Sequence, residues 1–231
     1  MSKLPSLALL ASLVILGGCA QLDAGTATAP ERGDPNFLKG VDTRVDELYI
    51  NSQGPAGARD FRNVYIAPAD LTNMQVIQPE GVAADDEWTV TESEDKIIQQ
   101  AIANEFSKAL SYQSAFNIVD SREAAEIVVE TVVVAIHPNA ARSEVAAGVK
   151  PGGAITVSIA LINARSGDVM VRSVDTKSSD DIWAFNQVEN DDPAINLIFR
   201  SWGNSIRRGM LQLQGRSNDP LAPPIMLKEQ Q

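Results

Sequence analysis

The chain has one cysteine and one histidine in 231 residues. One cysteine closes no intramolecular disulfide. One histidine without free thiols cannot assemble a zinc site, which needs several Cys or His ligands at close spacing. Cations are short too: 19 Lys and Arg stand against 30 Asp and Glu, a net charge of −11, and the basic residues are scattered. A nucleic-acid binder needs clustered Lys and Arg to release phosphate counterions, so that class is excluded. No apolar run reaches the ~20 residues that cross a bilayer as a helix. The run from Leu7 to Leu16 gives way to Gly17-Gly18 and then to polar Gln21 and Asp23.

What is present begins with that leader. Lys3 supplies a positive start, Leu7 to Leu16 an apolar core, and Gly17-Gly18 the small residues before a cleavage site, the three parts of a secretory signal over residues 1–18. The run Leu16-Gly17-Gly18-Cys19 resembles the lipobox of bacterial lipoproteins, in which a peptidase cuts before a lipidated cysteine. An ordinary cleaved signal with an incidental cysteine is the alternative. The resemblance implies a mature N-terminus at Cys19 carrying three acyl chains. Each buried methylene contributes ~0.8 kcal/mol, so such an anchor holds on a membrane permanently. Ala20 stands where an Asp would favour retention in the inner membrane, so the implied destination is the outer membrane, with the domain facing the periplasm. Cleavage removes only Lys3 among charged residues, taking the net charge from −11 to −12. Lipidation of Cys19 leaves no thiol to serve as a nucleophile.

Residues 19–35 are rich in Ala, Gly, Thr and Pro with no apolar period, the composition of a tether. Residues 36–215 make one domain and residues 216–231 a Pro-rich tail. Phe37 to Ile50 fits a short helix or a strand equally. Phe61 to Ala67 reads as a strand stopped by Pro68. Thr91 and Glu94 have capping-box spacing ahead of a helical stripe of Ile97, Ile98, Ala101, Ile102, Phe106, Ala109 and Leu110. Strands follow at Phe116 to Asp120 and at Glu126 to His137, the latter apolar on both faces and therefore central. Ile155 to Leu161 forms the next strand. Asn163 to Gly167 turns a hairpin with Gly167 in the left-handed position, and Val169 to Thr176 returns antiparallel. Asp192 caps a last helix with Pro193 at its first position, and Ile195, Ile198, Phe199, Trp202, Ile206, Met210 and Leu213 line one face. This order predicts an α+β fold of two layers: a mixed, mostly antiparallel sheet of about five strands with two main helices on one face.

Three segments carry a family resemblance: Asp60-Phe-Arg-Asn-Val-Tyr-Ile-Ala-Pro68, Ala164-Arg-Ser-Gly-Asp-Val-Met-Val-Arg172, and Trp202 followed by Ile206-Arg-Arg208. With the lipobox they resemble the bacterial lipoproteins called domain of unknown function thirty-three thirteen, over about Phe37 to Gly215. These words are structural, and the resemblance implies no reaction or cofactor.

The search for chemistry yields little. His137 before Pro138 ends a strand, and no Gly-x-Ser-x-Gly elbow accompanies it. The carboxylate groups at Asp85-Asp86-Glu87, at Glu92, Glu94 and Asp95, at Asp180-Asp181, and at Glu189, Asp191 and Asp192 lack the ordered spacing of a calcium loop. Two of these groups precede helix starts, where negative charge is favoured. Gly148 to Gly153 precedes a strand and reads as a mobile loop, not a phosphate cradle. The expectation is a non-enzymatic lipoprotein without metal or cofactor. It is anchored to the membrane through Cys19 and binds an envelope protein through Val145, Trp183, Phe185 and Ile225. A cell-wall hydrolase using loop carboxylates and a carrier of an apolar ligand between sheet and helices are the alternatives. The acidic surface favours a basic partner.

Overall fold

The computed structural model describes residues 37–41, 45–51, 60–149, 152–182, 194–216 and 226–227, with the backbone alone for 37–41, Ala194 and 226–227. The elements are β1 (Phe37–Val41), β2 (Glu47–Asn51), β3 (Asn63–Ile66), β4 (Gln75–Val76), α1 (Glu92–Ser111), β5 (Asn117–Ile118), β6 (Ile127–Pro138), α2 (Arg142–Ala146), β7 (Gly153–Asn163), β8 (Val169–Ser179), α3 (Ala194–Leu213) and β9 (Met226–Leu227). They form one mixed sheet in the order β5-β3-β6-β7-β8-β2-β1-β9, with β4 also against β6. The pairings β3/β5, β3/β6 and β4/β6 are parallel. The pairings β1/β2, β1/β9, β2/β8, β6/β7 and β7/β8 are antiparallel.

The expected capping box starts α1: Glu94 N–H donates to Thr91 Oγ1 and Thr91 N–H to Glu94 Oε2. Its inward stripe is Ile98, Ile102, Phe106, Ala109 and Leu110, whereas Ile97 lies on the flank, partly open to solvent. Ile195, Ile198, Phe199, Trp202, Ile206 and Met210 of α3 are buried, and Leu213 is half-buried. Both helices pack on the same face of the sheet, over Ile127, Val129, Val133 and Ile136 of β6 and Ile155, Val157, Ile159 and Leu161 of β7. On the opposite face Val128, Ala160 and Ile162 are buried beside Tyr65, Ala67, Ala164 and Val169. Apolar residues on both faces suit β6 to the middle of the sheet.

The two helices run in the same direction, because Glu105 meets Arg200, Ala109 faces Gly203 and Arg207 stacks on Tyr112 as the numbers rise together. Gly203 sets their separation. A Cβ there would come within 2.7 Å of Ala109 Cβ and 3.2 Å of Phe106 Cα. The β7–β8 hairpin is closed by Gly167 N–H to Asn163 O and Asn163 N–H to Asp168 O, both 2.9 Å, with Gly167 at φ +79°.

Several expectations need correction. The sheet has nine strands among the described residues, not about five. Phe37 to Ile50 holds two strands, β1 and β2. The Pro-rich tail contributes β9, paired with Gly40 and Val41. The segment between Pro138 and Gly148 contains α2, a helix missing from the expected element order. Val134 is an extra residue in β6, since Val133 faces Val157 and Ala135 faces Thr156. This bulge turns Ile136 to the helix side beside Ile155, not to the outer face that strict alternation gives it. Asp192 and Pro193 lie outside the described residues.

Gly203→Ala is expected to lower the melting temperature even though alanine favours helix. The ~1 kcal/mol gained in propensity is outweighed by the ~1–3 kcal/mol of overpacking at a contact with no room. Thr131 is buried on the helix side, and its Oγ1 has no hydrogen-bond partner among the described residues. Thr131→Val is expected to raise stability by ~1 kcal/mol by removing an unmet polar group. Chemical denaturation of the two variants checks both signs.

Candidate functional site

The apolar stripe of α3 brings Trp202 beneath β8, where its indole N–H donates to the buried Asp175 Oδ2 at 2.7 Å. The other oxygen of Asp175 accepts from Asp46 N–H at 3.0 Å, and Lys177 Nζ lies 3.0 Å from Oδ2. Asp46 Oδ2 accepts in turn from Thr176 N–H at 2.9 Å. Two carboxylates thus bind each other's strands. Asp46 immediately precedes β2, which pairs with β8 only as far as Glu47 opposite Val174. By capping Thr176, Asp46 occupies the place where the next rung of that ladder would lie.

β8 continues past this point. Lys177, Ser178 and Ser179 still pair with Ile155, Ala154 and Gly153 of β7 on one side, with no strand opposite them among the described residues. Beside this end lies a groove of about 660 Å³ lined by Thr176 to Asp180 on β8 and by Leu197, Ile198 and Ser201 on α3. Leu197 is 54% exposed, the second most exposed of the five large apolar side chains that stand out from the described surface.

A second polar cluster holds the helices together. Glu105, 1% exposed, accepts from Arg200 Nε and from Lys108 Nζ, each at 2.6 Å. Burial alone would raise its carboxyl pKa, but the two cations outweigh burial and hold it below the ordinary value. Glu126 is lowered by the backbone N–H groups of Arg62 and Asn63, which donate to its Oε2 at the start of β3. Asp95 is raised by partial burial and by the neighbouring Glu94 and Glu92.

Of the residues expected to meet a partner, Val145 is half-buried and packs against the main core from α2. Trp183, Phe185, Ile225 and Cys19 lie outside the described residues. His137 is half-buried next to the end of β6, opposite Ala154. Three of the loop carboxylates have structural work, and Glu189, Asp191 and Asp192 lie outside the described residues. Asp86 accepts from Ser143 N–H and is bonded to its hydroxyl, fixing α2. Glu94 caps α1, and Glu92 pairs with Lys96. No three Asp, Glu, His or Cys side chains are placed to share a metal ion among the described residues. The gap between sheet and α3, lined in part by Leu48, Ile50, Ile159, Trp202 and Ile206, holds about 60 Å³. A small-molecule pocket takes ~300–1,000 Å³, several times the size of this gap. Sequence reading missed Trp88, whose indole donates to Ala140 O at 2.7 Å with Arg142 stacked over the ring. A tryptophan directly after an acidic run was its only signal.

No family model matches the chain and no curated protein does, so the named family stays a resemblance. Among solved structures, protein XCC0632 from Xanthomonas campestris is similar at 10% identity and TM-score 0.40, covering 68% of this chain and 87% of its own. A PelC dodecamer from Paraburkholderia phytofirmans is similar at 14% identity and TM-score 0.33, covering 71% and 94%. Lipoprotein GNA1162 from Neisseria meningitidis is similar at 6% identity and TM-score 0.31, covering 63% and 97%. All three scores are too low to establish a common fold.

Glu105 and Glu126 have folded pKa values below their unfolded ones. Their contribution to stability is therefore complete above about pH 4.3, the ordinary glutamate value, and is lost as pH falls through the folded values. Glu105→Gln is expected to cost ~2 kcal/mol near neutral pH, and the variant's stability is expected to fall less steeply on acidification. Thermal unfolding between pH 3 and pH 7 reads both effects.

Proposed function

We propose that the protein is a non-catalytic binding module of the cell envelope. Lipidated Cys19 anchors it to the outer membrane, its domain faces the periplasm, and it engages another envelope protein. The leader and the Leu16-Gly17-Gly18-Cys19 run support the anchor, and the composition of residues 19–35 supports a domain standing off the membrane. The groove between β8 and α3 carries the binding reading. It offers main-chain groups and an exposed Leu197, the features by which a surface takes up another chain. In the chain, Trp183 and Phe185 follow directly after Ile182, which is buried just beyond β8. The hydrolase alternative has less support, because two of its loop carboxylates, Asp86 and Glu94, are engaged in bonds that hold helices in place.

Two measurements test this function. Cys19→Ala is expected to move the protein from the membrane fraction to the soluble fraction of cells, and retention on the membrane would overturn the anchor. A photoreactive residue in place of Leu197 in intact cells is expected to give a discrete protein adduct that is missing when the probe replaces Ile77, another exposed apolar residue. Glycan adducts alone, or none at Leu197, would overturn the binding module.

A further inference from the structure

We propose that the partner enters as an extended, basic segment that adds a strand to the free end of β8. Its main chain bonds to Ser178, and its apolar side chains rest on Leu197 and Ile198. This rests on the binding-module reading and specifies the partner's chemistry.

The backbone geometry comes first. Along a strand, N–H and C=O groups alternate between the two neighbours. Thr176 N–H points away from β7, because it donates to Asp46 beside β2. Ser178, two residues on, points the same way, and it is exposed. Its N–H and C=O, with the C=O of Thr176, form a short edge with no strand opposite it among the described residues. The segment Lys177 to Ser179 is ~10 Å long at ~3.4 Å per residue. Such edges are commonly guarded by a lysine. Here Lys177 is drawn inward to Asp175, so its charge is neutralised and does not guard the edge.

The groove wall selects the side chains. A strand laid beside Ser178 turns alternate residues toward the helix layer, where Leu197 and Ile198 line the groove. The charge comes from the surroundings. Asp46 and Asp180 are exposed on either side of the open edge. An incoming segment with Lys or Arg at alternate positions supplies positive charge, whereas an acidic segment would meet repulsion from a chain of net charge −11.

The test uses the full chain in detergent and a decapeptide of alternating Val and Lys, with alternating Val and Glu as the control. The Val-Lys peptide is expected to slow amide hydrogen exchange at Ser178 by about tenfold or more, as one new hydrogen bond does, and the Val-Glu peptide is not. Leu197→Asp and Asp180→Lys, both at exposed positions, are each expected to weaken the Val-Lys peptide by about fivefold or more. Unchanged exchange at Ser178 under saturating Val-Lys peptide would overturn strand addition. Equal protection by both peptides would overturn the basic specificity. A protein adduct at Leu197 in cells without protection at Ser178 would overturn this mode of docking and leave the binding module standing. Loss of both signals would remove both.

Discussion

The buried carboxylate of Asp175 governs the end of the molecule where β8 meets α3. A charge taken out of water is tolerated only when donors surround it, and here the donors come from three parts of the chain: the Trp202 indole, the Asp46 amide and the Lys177 ammonium. Meeting that demand locks α3 over β8, fixes where β2 begins, and ends the β2 ladder short of the tip of β8. The groove and the open edge are by-products of satisfying one oxygen pair. The bond from Thr176 to Asp46 makes the arrangement stiff, since Asp175 cannot turn without releasing the Asp46 amide, nor Asp46 without releasing the Thr176 amide.

The helix layer solves a different problem. Parallel helices set like ends of their dipoles side by side, an unfavourable alignment. Glu92, Glu94 and Asp95 answer it in the first turn of α1, and Lys108 in the last. Glu105 sits between the helices with one cation from each, so the contact that joins them is also electrically closed. Gly203 lets the backbones come near enough for the bond from Arg200 to Glu105 to form at 2.6 Å.

Much of this was legible in sequence wherever local chemistry and periodicity agree. Thr91 with Glu94 and the following stripe specify the start of α1 and, Ile97 apart, its inward face, and Asn163 to Gly167 specify the hairpin. β6 is legible because both of its faces are apolar. The strand read at Phe116 to Asp120 is β5, but the two-residue strands β4 and β9 carry no period and are set by the neighbours that pair with them, β6 and β1. Phe37 to Ile50 satisfied two templates at once, and only pairing with β8 decides between them. Glu105 looks like any helix-surface glutamate until Arg200 arrives from 95 residues away. Val145 looks like an apolar residue offered by a loop, whereas α2 turns it into the core. The groove was invisible for the same reason: it exists because β2 stops, and a stopping point of that kind belongs to two strands and a cap together.

The bulge at Val134 divides β6 into two reading frames. Before it, odd-numbered residues face the helices, and after it Ile136 does so. β4 pairs with the second frame, at Ala135 and Ile136, and β3 with the first, at Ile127 to Val129. The chain from Asn63 to Val76 therefore lies along one strand whose two halves are out of phase. Removing Val134 would leave Val133 opposite Val157 and Ala135 opposite Thr156, with Ile136 still facing the helices, whereas a deletion elsewhere in the strand would put one stretch of it out of phase. The tolerance of this fold to insertion and deletion is thus concentrated at one residue in the middle of its most buried strand, where surface loops would ordinarily hold it.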